Sequence, residues 1–173
     1  AALSITDNPG IKSKLNEKIN VTFLDFNDNN NFDKEISKGD VSSVIFESIQ
    51  GVGGLDEPET KFVKYISKQC KKHNTCLIAD EVQSGFGRTG ELLATDHCVE
   101  TPDIICLSKG ITGGTMALST TVCTNEVYNA FLSEDKMKTF FHGHSYTANA
   151  TACAAACASF DLFDEDSTWK NID

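Results

Sequence analysis

The chain has 173 residues, 40% hydrophobic and 23% charged, a balance that excludes a disordered polymer and predicts one soluble globular domain. Its formal net charge of −10 excludes nucleic acid as the main partner, because phosphate binding needs basic patches. No run of about 18 apolar residues marks a membrane span, and AALSITDNPGIKSK lacks the basic start and apolar core of a secretory signal.

In chain order, INVTFLDF (19–26) is β-branched and aromatic and predicts a strand. NDNNNFDKEISKGD (27–40) predicts a short helix ending at Gly39. VSSVIFES (41–48) predicts a second strand, and QGVGGLDEP (50–58) a Gly-rich loop. Pro58 suits a first helical turn, so a helix is expected from Pro58 to about His73, with Phe62, Val63, Ile66 and Cys70 on its apolar face.

TCLIADEV (75–82) predicts a third strand, apolar on both faces as in a buried parallel sheet. A long glycine-containing loop follows, then strands over 103–109 and 116–124, and a helix over 125–133 with Asn125 near its cap. The small-residue segment 150–166 predicts one closely packed helix. Alternating strands and helices predict an α/β fold with a mainly parallel sheet, one strand antiparallel after Lys109.

The seven cysteines form no C-x-x-C pair, their number is odd, and several lie in apolar runs. They predict buried free thiols in a reducing compartment, and with the acidic charge a cytoplasmic protein.

In an open α/β sheet, ligands bind beyond the carboxyl ends of the strands. Asp80 closes the apolar run CLIA, and Lys109 closes IICLS. Either residue alone fits an ordinary loop cap or solvated turn. Together, a lysine and a carboxylate in one crevice suit pyridoxal 5'-phosphate (PLP). The amine can form a Schiff base with the cofactor aldehyde, and the carboxylate can keep the pyridine nitrogen protonated. Unit charges about 4 Å apart at an effective dielectric near 20 attract by about 4 kcal/mol, roughly three pKa units.

IADEVQSGFGRTGELLA (78–94) followed by PDIICLSKGITGG (102–114) resembles the signature of class III, subgroup II, aminotransferases. The resemblance spans roughly residues 40–163. It implies a fold-type-I PLP-dependent transferase large domain, a mainly parallel sheet flanked by helices, acting as a homodimer. It also implies that a phosphate loop and a ring-stacking aromatic precede residue 1 and that a small domain follows residue 173. The 173 residues are therefore expected to be part of the large domain and inactive in isolation.

The resemblance further implies residue roles. Lys109 is the Schiff-base lysine and the base that moves the substrate proton. Asp80 binds the pyridinium, Val82 packs on the ring, and Gln83 lies near the phenolic oxygen. His144 and Ser145 reach the cofactor phosphate of the neighbouring subunit. Gly143, with Lys109, lines the substrate pocket, and Arg88 and Thr89 hold the loop after the Asp80 strand. TGGTMALSTTVCT and FFHGHSYTANATACAAACASFDLF are most similar to the branch that transfers an amino group from S-adenosylmethionine to 8-amino-7-oxononanoate in biotin synthesis. Ornithine, 4-aminobutyrate or β-alanine transaminases, and a non-catalytic homologue, are the alternatives.

Departures from the pattern are informative. Ser145 stands where most relatives have Thr, and Ser48 where they have Pro. Ala150 replaces a Pro after Asn149, which is expected to loosen the start of the last helix. Val52 stands where ornithine-type relatives have a Glu, which favours the biotin branch.

GFGRTG (85–90) matches the glycine pattern of a dinucleotide site, yet no helix pattern opens at Gly90. His142 and His144 form H-x-H without a third ligand nearby, so loop histidines are expected and no metal.

Overall fold

The computed structural model describes residues 20–51, 54–98 and 100–172. Helix α1 (Asn29–Ile36) starts where the Asp28 side chain accepts the Asn31 N–H at 3.0 Å. It buries Phe32 and Ile36, one turn apart. The chain then turns at Gly39, whose φ of 76° favours a residue without a Cβ.

Helix α2 (Thr60–His73) buries Phe62, Val63, Ile66 and Cys70, as the spacing predicts. Lys71 and Lys72 stand in its last turn, where cations meet the negative end of the helix dipole. Asn74, at φ 54°, closes it, and the Thr75 N–H returns to the Cys70 carbonyl at 2.9 Å. Pro58 does not open the helix. Glu59 stays extended as the N-cap while its N–H donates to the Asn27 side chain at 2.9 Å, which delays helical geometry to Thr60.

Four strands form one sheet in the order β1 (Ser43–Glu47), β2 (Cys76–Asp80), β3 (Ile104–Leu107), β4 (Thr120–Cys123). The first three are parallel and β4 is antiparallel to β3. The core lies between α1, α2 and one face of the sheet: Phe46, Leu77 and Ala79 meet Phe32, Ile36, Phe62, Val63 and Ile66. Phe32 stands edge-on to Phe62, ring centroids 6.3 Å apart. Strand β2 therefore alternates, with Leu77 and Ala79 buried and Ile78 half-buried, rather than burying both faces equally.

Other expectations fail as well. Residues 20–25 form no strand, and Val21, Phe23 and Leu24 are exposed; residue 19 lies outside the described residues. β-branched residues favour an extended chain, but a strand also needs a partner for its ladder. The helix expected over 150–166 divides into α4 (Ala150–Asp161), a 3-10 turn (Leu162–Asp164) and α5 (Asp166–Ile172). The break lets Phe163 pack on Phe86, centroids 6.4 Å apart, while the Trp169 indole N–H donates to the Phe163 carbonyl at 2.8 Å. The start of α4 is firm despite Ala150, because Asn149 accepts the Ala152 N–H at 3.0 Å.

Helix α3 (Asn125–Asn129) is capped by Thr124, one residue before Asn125. The cysteines are free, but only Cys70 and Cys98 are buried, whereas Cys123 and Cys157 are exposed. Among the described residues, no helix is long and apolar enough to cross a membrane.

Candidate active site

Parallel pairing of β2 with β3 aligns Asp80 with Cys106 at the carboxyl edge of the sheet. Three residues on, Lys109 begins a 3-10 turn (Lys109–Thr112) with φ at 45°. A non-glycine residue held in the left-handed region costs about 1–2 kcal/mol, so the surrounding turn must over-determine it. Two side chains do this. The Ser108 hydroxyl donates to the Leu118 carbonyl at 2.7 Å. The buried Thr112 hydroxyl donates to the Met116 carbonyl at 2.6 Å and accepts the Met116 N–H at 3.2 Å.

The Lys109 ammonium reaches across the sheet edge and donates to the Gln83 side-chain carbonyl. Gln83 is half-buried, and a Cβ at Gly51 would meet its Cγ at 3.1 Å. Asp80 Oδ1 accepts the Val82 N–H at 3.0 Å, which turns the chain at the end of β2. Burial first, and the Asp80 carboxylate second, push the Cys106 thiol above its ordinary value, so Cys106 adds no second negative charge beside Asp80.

The structure thus brings Asp80, Val82, Gln83 and Lys109 to one edge. Gly143, His144 and Ser145 are exposed, and Ser145 opens a turn over 145–148. There the Thr147 hydroxyl accepts the His144 N–H at 3.1 Å, and His144 Nδ1 accepts the Tyr146 N–H at 3.1 Å. Among the described residues no hydrogen bond ties them to the Lys109 edge. His142 is likewise exposed, and no group of three or more metal-binding side chains occurs among the described residues.

GFGRTG forms a closed loop and opens no helix: the Phe86 N–H donates to the Leu92 carbonyl at 2.7 Å and the Gly90 N–H to the Gly87 carbonyl at 3.1 Å. Thr89 holds this loop through His97 Nε2, 2.9 Å from its carbonyl. Arg88 is exposed and lines an open cleft of about 620 Å³ with Phe86, Lys109, Gly113, Met116 and Phe163.

Sequence reasoning passed over Glu81. Its side chain is fully buried and both oxygens are bonded, to Ser48, Ser84, Ala94 and Thr95. The signal was available as a second carboxylate directly after an apolar strand, with Ser84 three residues on.

The residues present fit PLP. An exposed amine and a half-buried carboxylate stand at the carboxyl ends of neighbouring parallel strands, where the sheet geometry favours ligands.

The class-III aminotransferase model matches residues 1–173. The chain belongs to the class-III aminotransferase family. It is 48% identical over 134 residues to an adenosylmethionine-8-amino-7-oxononanoate aminotransferase of Geobacter sulfurreducens, covering 76% of this chain and 30% of that protein. The corresponding enzyme of Synechococcus elongatus is 46% identical, covering 75% and 31%. The chain therefore spans about 30% of the length of these relatives.

Among solved structures, an ornithine aminotransferase from Toxoplasma gondii superposes with a TM-score of 0.85 at 26% identity, over 97% of this chain and 38% of that one. The adenosylmethionine-8-amino-7-oxononanoate aminotransferase of Methanocaldococcus jannaschii superposes with a TM-score of 0.70 at 39% identity, over 75% and 31%. PLP is the cofactor of this family.

Proposed function

We propose that this chain carries the lysine-bearing part of the cofactor site in a transaminase of biotin synthesis. The enzyme would move an amino group from S-adenosylmethionine to 8-amino-7-oxononanoate, giving 7,8-diaminononanoate. The observation behind this reading is the Lys109 amine, bonded to Gln83 and three residues beyond the register partner of Asp80. The choice of substrates draws on the relatives at 46–48% identity.

PLP, when bound, supplies an aldehyde that captures amines and a pyridinium ring that stores electrons. Lys109 Nζ would be the amine that holds it and the base that moves the substrate proton. Asp80, with Oδ1 engaged by Val82, has Oδ2 for the ring N–H. Val82 would support the ring face, and Gln83 would orient the Lys109 amine and the phenolic oxygen. His144 and Ser145 are assigned to the phosphate of a partner's cofactor, and Gly143 to the substrate pocket. That assignment needs a homodimer, and exposed Phe140, Phe141 and Tyr146 beside this segment suit such an interface. A cytoplasmic location is part of the same reading.

One observation favours a second reading. Two Toxoplasma ornithine aminotransferase structures superpose with a TM-score of 0.85, although at 26–27% identity. A substrate panel with the complete protein separates the two, S-adenosylmethionine against ornithine, 4-aminobutyrate and β-alanine as donors. Borohydride reduction of the complete protein with PLP is expected to label Lys109. Labelling of another lysine, or none, would overturn the cofactor assignment.

A further inference from the structure

Glu81 follows Asp80 directly and faces away from solvent. It is the largest fully buried side chain among the described residues, at 0% exposure. No salt bridge among those residues reaches it. A buried carboxylate without a cation is costly unless hydrogen bonds replace its water. Here four donors do so. Oε1 accepts the Thr95 N–H at 2.7 Å and the Ser48 hydroxyl at 3.3 Å. Oε2 accepts the Ala94 N–H at 3.2 Å and the Ser84 hydroxyl.

These bonds join three segments distant in sequence: the end of β1, the turn after β2, and the 3-10 segment Ala94–Cys98. The Gly85 N–H closes the same turn from the backbone, donating to the Glu81 carbonyl at 3.0 Å. A Cβ at Gly85 would meet that carbonyl oxygen at 2.9 Å, so only glycine lets the turn close this tightly.

We propose that Glu81 is a positioning residue of the cofactor site. It fixes the backbone over 80–84, and so sets where Asp80, Val82 and Gln83 stand relative to Lys109. Ser48, at the end of β1, supplies one of the four donors. The proposal rests on the reading of Asp80 and Lys109 as the PLP site.

A carboxylate is required by the donors. Ala94 and Thr95 each offer a backbone N–H, one to each oxygen, and neither can turn round. The amide of Glu81→Gln would face one of these N–H groups in either orientation. The serine hydroxyls can rotate to suit it.

The test uses the complete protein as wild type, Glu81→Gln and Ser84→Ala, freed of cofactor and titrated with PLP. The readouts are the dissociation constant and the pH midpoint of the bound cofactor's absorbance change. Loss of an outer-shell partner predicts about tenfold or greater weakening for Glu81→Gln. A midpoint shift of about half a pH unit or more would mark a changed electrostatic setting around the ring. Ser84→Ala, losing one donor, should weaken binding about threefold and covers the case in which Glu81→Gln does not fold.

A purely structural role would lower the melting temperature of the cofactor-free protein and leave the midpoint unmoved. That result, or affinities within about twofold of wild type, would overturn the proposal. A wild-type protein that takes up no PLP would instead sink the underlying reading of Lys109.

Discussion

Asp80 and Cys106 are register partners across the parallel pair β2–β3. Because Lys109 follows Cys106 by three residues and turns at φ 45°, its amine meets Gln83 on the neighbouring segment rather than continuing along the sheet. A carboxylate and an amine from segments 29 residues apart (80 to 109) thus share one sheet edge.

Asp80→Asn keeps an oxygen for the Val82 N–H and removes the charge. A charge pair about 4 Å apart at an effective dielectric near 20 contributes about 4 kcal/mol. At about 1.36 kcal/mol per decade, kcat/KM of the complete enzyme should fall about a thousandfold. Steady-state rates on purified protein check this. A loss below about tenfold would show that Asp80 does not hold the ring nitrogen.

Gly110→Ala should destabilise the Lys109 turn. The added Cβ would lie 3.0 Å from the Phe86 Cβ and 3.2 Å from its ring. Overpacking of this kind costs about 1–3 kcal/mol. Urea unfolding should show a lower midpoint with an unchanged slope. An unaltered midpoint would mean that the 86–110 contact is looser than the structure has it.

Cys70 makes stability depend on alkaline pH. Burial first, then the Asp103 carboxylate and Cys76, push its thiol from 9.0 up to about 12. The unfolded chain releases this proton near the ordinary value while the folded chain keeps it. The contribution is therefore complete below about pH 9 and is lost as pH rises toward 12. Denaturant midpoints between about pH 8 and 10.5 should fall more steeply for wild type than for Cys70→Ala, since the variant lacks this proton linkage. Parallel slopes would refute it. The same thiol should resist alkylation under native conditions, because the reactive thiolate is suppressed.

Much of this molecule was legible in one dimension. The apolar spacing of Phe62, Val63, Ile66 and Cys70 marks the buried face of α2. The apolar runs before Asp80 and Lys109 mark β2 and the strand ahead of the turn. Those patterns repeat over a few residues, so local geometry suffices to read them.

Other features depended on partners far along the chain. Residues 20–25 have strand composition but join no ladder, since composition cannot supply a neighbour. Pro58 stands outside α2 because Glu59 is held by Asn27, 32 residues earlier. The last helix breaks where Phe163 finds Phe86. Glu81 shows the limit most clearly. Its four donors lie between 3 and 33 residues away. The family signature and the identities of Asp80 and Lys109 were readable in the sequence itself. Only the tertiary structure decided how a buried carboxylate is satisfied and which groups its bonds hold in place, because satisfying a buried charge is a property of the enclosing fold.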